Sequence, residues 1–421
     1  MGNKLAIEGG NPIRRSPFPP WPYFWEEEKQ AVKKVLDSGK VNYWTGKKGV
    51  EFQNEFADYC GVKYAIAVCN GTAALHVALA AAKVGPGDEV IVPARTFVAT
   101  AMAVLHQNAI PVFADVDLRT HNISIASVKE LINQRTRAII PVHLAGYPAE
   151  MNELVALAKE NNLVVIEDAA QAHGAEYKGK KTGSLGDMAA FSFCQDKIMT
   201  TGGEGGMVTT DDDEMAEMAR TYKDHGYWEE ERRSLLEMEA LYTYIHHSLG
   251  YNYRLTEIQS AIGIELVKKL DWMVNRRIEN AHYLTENLKE LDFLQIPHEA
   301  SYVKHSFYKY YCTLVLNKLK VDRDLFVKAV RAEGVPIGIG VTSENYLEEI
   351  FREKRGYGRT LCPFDCPRYQ KEELNYAKVI CPNARKLSKE VFVLLVHPTI
   401  EKKDLDDVIR AVKKVGKSYT K

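Results

Sequence analysis

The sequence predicts an α/β protein: a mostly parallel sheet in a large domain, followed by a smaller α+β domain. Three observations predict it. From Tyr64 onward, short β-branched runs alternate with longer stretches of helical apolar spacing. Runs such as Ala138-Ile-Ile-Pro-Val142 and Leu163-Val-Val-Ile166 are apolar almost throughout, as strands buried on both faces are. At 421 residues the chain exceeds what one simple core holds, and after Leu291 the order of elements changes.

Residues 10–22 carry too many prolines for helix or central strand and read as an extended arm, with Phe18 and Trp21 to pack on a neighbour. Glu26 to Ser38 has helical spacing at Ala31, Val32 and Val35 and stops at Gly39. Strands are expected at Tyr64 to Cys69, Glu89 to Pro93, Ile110 to Ala114, Arg137 to Val142 and Leu163 to Glu167. Helices are expected at Thr72 to Lys83, Thr96 to His106 and Glu150 to Glu160, then through a helix-rich stretch from Leu255 to Leu291. Beyond it, strands at Tyr308 to Leu316, Val335 to Ile339 and Val391 to Val396 alternate with helices at Arg323 to Glu333 and Lys403 to Val415. The expected partition is an arm over 1–25, a large domain over 26–270 and a small domain over 271–421. Arg355 to Pro367 is a turn-rich insertion that matches no motif.

Hydrophobic residues at 46% and charged residues at 26% describe an ordinary globular protein. The formal net charge is −1 and no basic arm interrupts the mixed surface charge, which argues against nucleic acid as a partner. The N-terminus lacks the apolar core of a secretory signal and the longest apolar runs fall short of a bilayer, so a cytoplasmic protein without membrane attachment is expected. Seven scattered cysteines, an odd number, do not suggest a disulfide framework. Cys362, Cys366, Cys381 and His397 invite a zinc reading, but the spacing is not C-x-x-C and prolines adjoin the cysteines, so no metal is expected.

In an open parallel sheet, ligands collect at the carboxyl ends of strands. Asn70-Gly71-Thr72-Ala73 follows one strand and opens a helix, which makes either a phosphate seat or simply a capped turn. Asp168 leaves the sheet directly after Glu167, where a carboxylate either caps a turn or meets a cationic partner such as a protonated ring nitrogen. Gln171 and His173 either bond ring substituents or hold that loop. Phe97 either stacks on a planar ring or packs in the core. Lys197 sits after Phe191-Ser192-Phe193 and before Gly202-Gly-Glu-Gly-Gly206; a lysine desolvated beside a strand end can become a nucleophile toward an aldehyde. Ser192 offers a hydroxyl to the same phosphate. Cys194 has no evident general base nearby. An amine, a carboxylate for a ring nitrogen and donors for a phosphate are the groups that pyridoxal phosphate requires.

The stretches CNGTAALHVALAA, EVIVPARTFVATAMAVL, PVHLAGYPAEM, VIEDAAQAHGAEYKGKKTGSLGD, FSFCQDKIMTTGGEGGMV and GYNYRLTEIQSAIG resemble the DegT/StrS family of sugar aminotransferases. The likeness runs from about Gly9 to the C-terminus. It implies the fold-type I architecture of pyridoxal 5'-phosphate enzymes and a transaminase acting on small molecules. By resemblance, Lys197 binds the cofactor's aldehyde as a Schiff base, Asp168 pairs with the pyridine nitrogen and Gln171 bonds the ring hydroxyl. Gly71, Thr72, Ala73 and Ser192 contact the phosphate and Phe97 stacks on the ring. Gly250-Tyr-Asn252-Tyr-Arg254 is similar to a family segment that reaches into the neighbouring subunit, which implies a homodimer with shared active sites and Asn252 on the partner's phosphate. A branch of the family carries histidine in place of this lysine and deoxygenates its substrate; Lys197 favours transamination. The donor implied is glutamate or glutamine. The acceptor implied is a keto-sugar or, from the Gly9 to Pro22 pattern, a keto-cyclitol. Other readings are a pyridoxamine-dependent dehydratase, a non-catalytic cofactor-binding regulator, and a hydrolase using Cys194 or Ser192 with His143.

Overall fold

The computed structural model describes residues 4–237, 245–341, 344–369 and 374–421. Its centre is a seven-stranded sheet in the order Tyr64–Val68, Gly206–Thr210, Met188–Ser192, Val164–Asp168, Thr136–Ile139, Glu89–Pro93, Ile110–Ala114. All neighbours are parallel except at Gly206–Thr210, which runs antiparallel to both of the strands it joins. The strands are apolar because both faces are covered: Ile66 and Val68 point into one core, Ala65 and Ala67 into another. Helices Gly71–Ala81 and Ala99–His106 fill the first side, and Lys48–Cys60 and Glu257–Val267 the second.

A four-stranded antiparallel sheet follows, in the order Leu294–Gln295, Tyr310–Leu314, Val391–Leu394, Ile337–Gly338. The helix Arg323–Ala332 and the long C-terminal helix Lys402–Tyr419 pack on it. The helix Leu270–Leu288 ties the two regions together. Its first turns, through Leu270, Met273 and Val274, enter the large core, and Ala281, Leu284 and Leu288 enter the small one.

The proline-rich arm is extended and packs on both regions, with Leu5 and Phe18 against the small core and Trp21, Phe24 and Trp25 against the large one. The turn-rich insertion and the segment that follows it cover the outer strands of the large sheet. Phe364 of the insertion is buried; beyond it Tyr369 donates its hydroxyl to Glu89 Oε1 at 2.7 Å, and Tyr376 donates to the Pro111 carbonyl at 2.9 Å.

The helix expected from Thr96 starts at Ala99. Thr100 turns its N–H onto the Phe97 carbonyl at 3.2 Å, and this short turn leaves Phe97 outside the helix. The ladder expected to Val142 ends at Ile139, shortly before Pro141, which has no N–H to give.

Candidate active site

A cavity of about 650 Å3 opens where the carboxyl ends of the parallel strands meet the small sheet. Gly71, Thr72, Phe97, Asp168, Gln171, Ser192 and Lys197 all line it.

Two backbone approaches build its floor. Gly206 pairs with Val68 on one side and Ser192 on the other, bringing the ends of those strands together. A β-carbon at Gly206 would lie 2.3 Å from the Asn70 carbonyl oxygen, so only glycine lets the turn close there. A β-carbon at Gly71 would meet that of Ser192 at 2.6 Å. The first turn of Gly71–Ala81 therefore faces the Ser192 hydroxyl across a gap that admits no side chain. Asn70 caps this helix by accepting from Ala73 N–H at 2.8 Å. Ala73 N–H is thus engaged and Ala73 does not line the cavity, which leaves Gly71 and Thr72 to present N–H groups at the positive end of the helix. Ser192 Oγ accepts from Cys194 N–H at 3.3 Å and keeps its proton to donate.

Asp168 ends the Val164–Asp168 strand, 6% exposed. Oδ2 accepts from the Thr100 hydroxyl at 2.8 Å and Oδ1 from Ala170 N–H at 3.2 Å. Burial raises its carboxyl above the usual 3.8, and those two donors with the charge of Lys197 and the field of His143 only partly offset it. A buried carboxylate held by two neutral donors suits a cationic ligand.

Lys197 lies at the tip of a loop that leaves Ser192 and returns to Gly206, closed by Phe193 N–H on Gly205 O at 2.8 Å and Gln195 N–H on Gly203 O at 2.9 Å. Its side chain is 16% exposed, with Nζ 4.9 Å from the Tyr308 ring centre and 3.7 Å from Asp196 Oδ1. The Trp21 indole N–H donates to its carbonyl oxygen at 2.9 Å, so the arm holds the loop from outside. Tyr308 and Lys309, from the small region, bond Asp196 and join the two regions across the cavity mouth. Burial raises the Asp196 carboxyl, but Lys197, Tyr308 and Lys309 outweigh it and leave it below the usual range.

Gln171 lines the cavity with its Oε1 fixed by Ala145 N–H at 2.9 Å, which aims the amide. Phe97 is 63% exposed on the cavity wall, not packed in the core. His173 lies instead in the core beside Phe191 and Phe193, where burial pushes it down to about 3. Asn252 is exposed, pairs by backbone with Asp224 and does not line this chain's cavity.

His143 is wholly buried: Nε2 meets Glu167 Oε2 at 2.8 Å and Nδ1 accepts from Ala149 N–H at 3.0 Å. Both nitrogens are committed, so neither Ser192 nor Cys194 has it as a base, and the hydrolase reading loses its mechanism. Sequence reasoning missed Thr100, Asp196, Tyr308 and Lys309. Thr100 was signalled only by its place in Phe97-Val-Ala-Thr100, four residues from Thr96, whose hydroxyl it meets at 3.1 Å.

The chain is similar to GDP-perosamine synthase of Caulobacter vibrioides, 43% identical over 310 residues, covering 73% of this chain and 80% of the relative. It is 35% identical over 389 residues to the UDP-N-acetyl-3-dehydro-alpha-D-glucosamine 3-aminotransferase of Acidithiobacillus ferrooxidans, covering 92% and 94%. The X-ray structure of the aminotransferase from Psychrobacter cryohalolentis superposes with a TM-score of 0.84 at 39% identity, over 96% of this chain and 99% of that one. The model of the DegT/DnrJ/EryC1/StrS aminotransferase family matches residues 22–413. With Lys197 and Asp168 lining one cavity at the strand ends of such a fold, the chain belongs to the DegT/DnrJ/EryC1/StrS aminotransferase family.

Proposed function

We propose that the protein is a pyridoxal phosphate-dependent aminotransferase that moves an amino group from glutamate or glutamine to a ketone on a sugar or cyclitol. The observation that carries the reading is one cavity in which an amine, Lys197, and a buried carboxylate, Asp168, with no ion-pair partner among the described residues, stand with a helix N-terminus and a serine hydroxyl. These groups fit the cofactor. The close approach of Gly71 to Ser192 sets the N–H groups of the helix start beside the serine hydroxyl, a donor set that suits a phosphate, and Asp168, raised by burial, suits a protonated ring nitrogen.

When bound, pyridoxal phosphate supplies an aldehyde that carries the amino group and a ring that accepts electrons from the bond being broken. Lys197 Nζ would hold that aldehyde and, once displaced by the donor, take the proton from the donor's α-carbon. Asp168 would keep a proton on the ring nitrogen, with Thr100 fixing the carboxylate. Gly71 and Thr72 N–H groups and the Ser192 hydroxyl would bind the phosphate, the Gln171 amide would meet the ring hydroxyl, and Phe97 would cover one face. Asn252, exposed and outside its own cavity, would serve a second copy of the chain in a homodimer. The solvent-shielded position of Lys197 beneath Tyr308 favours proton transfer over loss of the proton to water.

The test is to load the protein with the amine form of the cofactor and screen keto-sugars and keto-cyclitols for return of the yellow aldehyde-bound spectrum. Return of the spectrum with formation of a stable amine supports the proposal. A deoxygenated product without amine would make the protein a dehydratase, and inertness toward every donor would leave a cofactor-binding regulator. Among the described residues no helix is long and apolar enough to cross a membrane.

A further inference from the structure

A second cavity, of about 780 Å3, lies beside the Lys197 pocket and shares Asp196, Tyr308, Lys309 and Leu395 with it. Arg277, on the helix that joins the two cores, lines it and is only 2% exposed. The guanidinium donates Nη1 to the Tyr308 carbonyl oxygen at 3.1 Å, and its face covers Trp21, 5.0 Å from the ring centre. Nε and Nη2 have no acceptor among the described residues. A buried guanidinium with two donors unmet is costly unless a ligand meets them. Nε and Nη2 form one edge of the guanidinium plane, an edge whose parallel N–H groups match the two coplanar oxygens of a carboxylate.

Among the described residues no carboxylate forms an ion pair with that edge. Asp196 already accepts from the Tyr308 hydroxyl and from Lys309 at 3.2 Å. Arg331 adds a further cation to the same lining, anchored by Nε on the Ile337 carbonyl at 2.8 Å. Burial draws Arg277 down to about 9, with Tyr308 and Asp196 pulling the other way, so it is charged at neutral pH. The link to the chemistry is Trp21, whose ring lies under Arg277 and whose indole N–H holds the Lys197 carbonyl.

We infer that Arg277 anchors the carboxylate of the amino donor through Nε and Nη2, in the cavity that adjoins Lys197. The inference rests on the aminotransferase reading and deepens it. A carboxylate uses both of its oxygens on the two parallel N–H groups of this edge, and a phosphate, which can pair with the same edge, is the competing ligand that the second arm of the test distinguishes.

The probe is glutarate, a dicarboxylate without an amine, titrated by calorimetry into the holoprotein, with inorganic phosphate as the second arm. Glutarate is expected to bind the wild type and to bind Arg277→Gln about 10- to 100-fold more weakly. Arg277→Lys is expected to restore little, since lysine keeps the charge and loses the fork. The donor KM should rise by a similar factor in Arg277→Gln, with the acceptor KM and the cofactor's absorbance unchanged. Equal glutarate affinity in wild type and folded Arg277→Gln overturns the inference, as does phosphate binding in place of glutarate. If Arg277→Gln does not fold, the wild type decides: glutarate competing with the donor supports the anchor, and failure to compete overturns it. A holoprotein that binds glutarate through Arg277 but transfers no amino group would sink the proposed function and leave the anchor standing. Normal transfer with an unchanged donor KM in Arg277→Gln would sink the anchor alone.

Discussion

Thr100 donates its hydroxyl to Asp168 Oδ2 at 2.8 Å, in the buried wall of the cavity. With Ala170 N–H on Oδ1, that bond orients a carboxylate whose pKa is raised by burial, leaving its remaining lone pairs for a ligand. In the proposed reaction this carboxylate keeps the ring nitrogen charged. Asp168→Asn is therefore expected to bind cofactor and to slow the half-reaction with glutamate about 100-fold or more, measured by stopped-flow absorbance. A wild-type rate would contradict the role of Asp168.

The same residue sets a stability effect of the opposite sign. Because the folded value of Asp168 is raised, the native apoprotein holds a proton between pH 3.8 and that value that the unfolded chain has released. The contribution of this group to stability therefore falls as pH rises through the window. Asp168→Asn removes the uncompensated charge, so the cofactor-free variant is expected to melt about 1–3 °C above wild type at pH 7.5. Bound cofactor should abolish or reverse the difference, by calorimetry.

Gly71→Ala tests the phosphate seat. Its methyl group would stand 2.6 Å from the Ser192 β-carbon and 3.0 Å from its hydroxyl oxygen, so helix start and strand end must move apart and their donors out of register. Cofactor affinity should fall about 10- to 100-fold in a fluorescence titration, as loss of one or two charge-assisted hydrogen bonds implies. Unchanged affinity would move the phosphate elsewhere.

Five buried histidines give the pH dependence of stability below neutrality. His121, His173, His305 and His397 are pushed down to about 3 and His76 to about 4, in each case first by burial. Below the ordinary 6.5 the unfolded chain takes up protons that the native protein refuses, so stability is lost as pH falls. Each site contributes a slope of at most about 1.4 kcal/mol per pH unit. The melting temperature should drop steeply between pH 6.5 and 4, and a flat profile there would contradict the buried, neutral state of these rings.

The parallel strands and the two central site residues were legible because both rest on local signals. Apolar runs such as Leu163 to Ile166 mark a doubly covered strand, and a carboxylate at its end or a lysine ahead of clustered glycines stands out from that pattern. The antiparallel strand Gly206–Thr210 was not legible: its Gly-Met-Val-Thr-Thr sequence carries no sign of direction, which comes from pairing with Val68 and Ser192. Nor was the helix Lys48–Cys60, whose buried Phe52 and Phe56 read as helical only once Phe191 and Phe193 are in place against them. The closing contacts join residues far apart in the chain, Tyr308 to Asp196 across 112 positions and Trp21 to Lys197 across 176, and no local periodicity encodes them. Arg277 likewise sits in an ordinary helical pattern, and only the fold reveals its unmet donors.

The central claim is covalent attachment at one nitrogen, and the most direct measurement is peptide mass spectrometry of the holoprotein after borohydride reduction. The account predicts the reduced cofactor's mass on the peptide containing Lys197 and its absence from Lys197→Ala. Attachment to a different lysine of the wild-type protein, or a holoprotein with no covalent adduct, would contradict it.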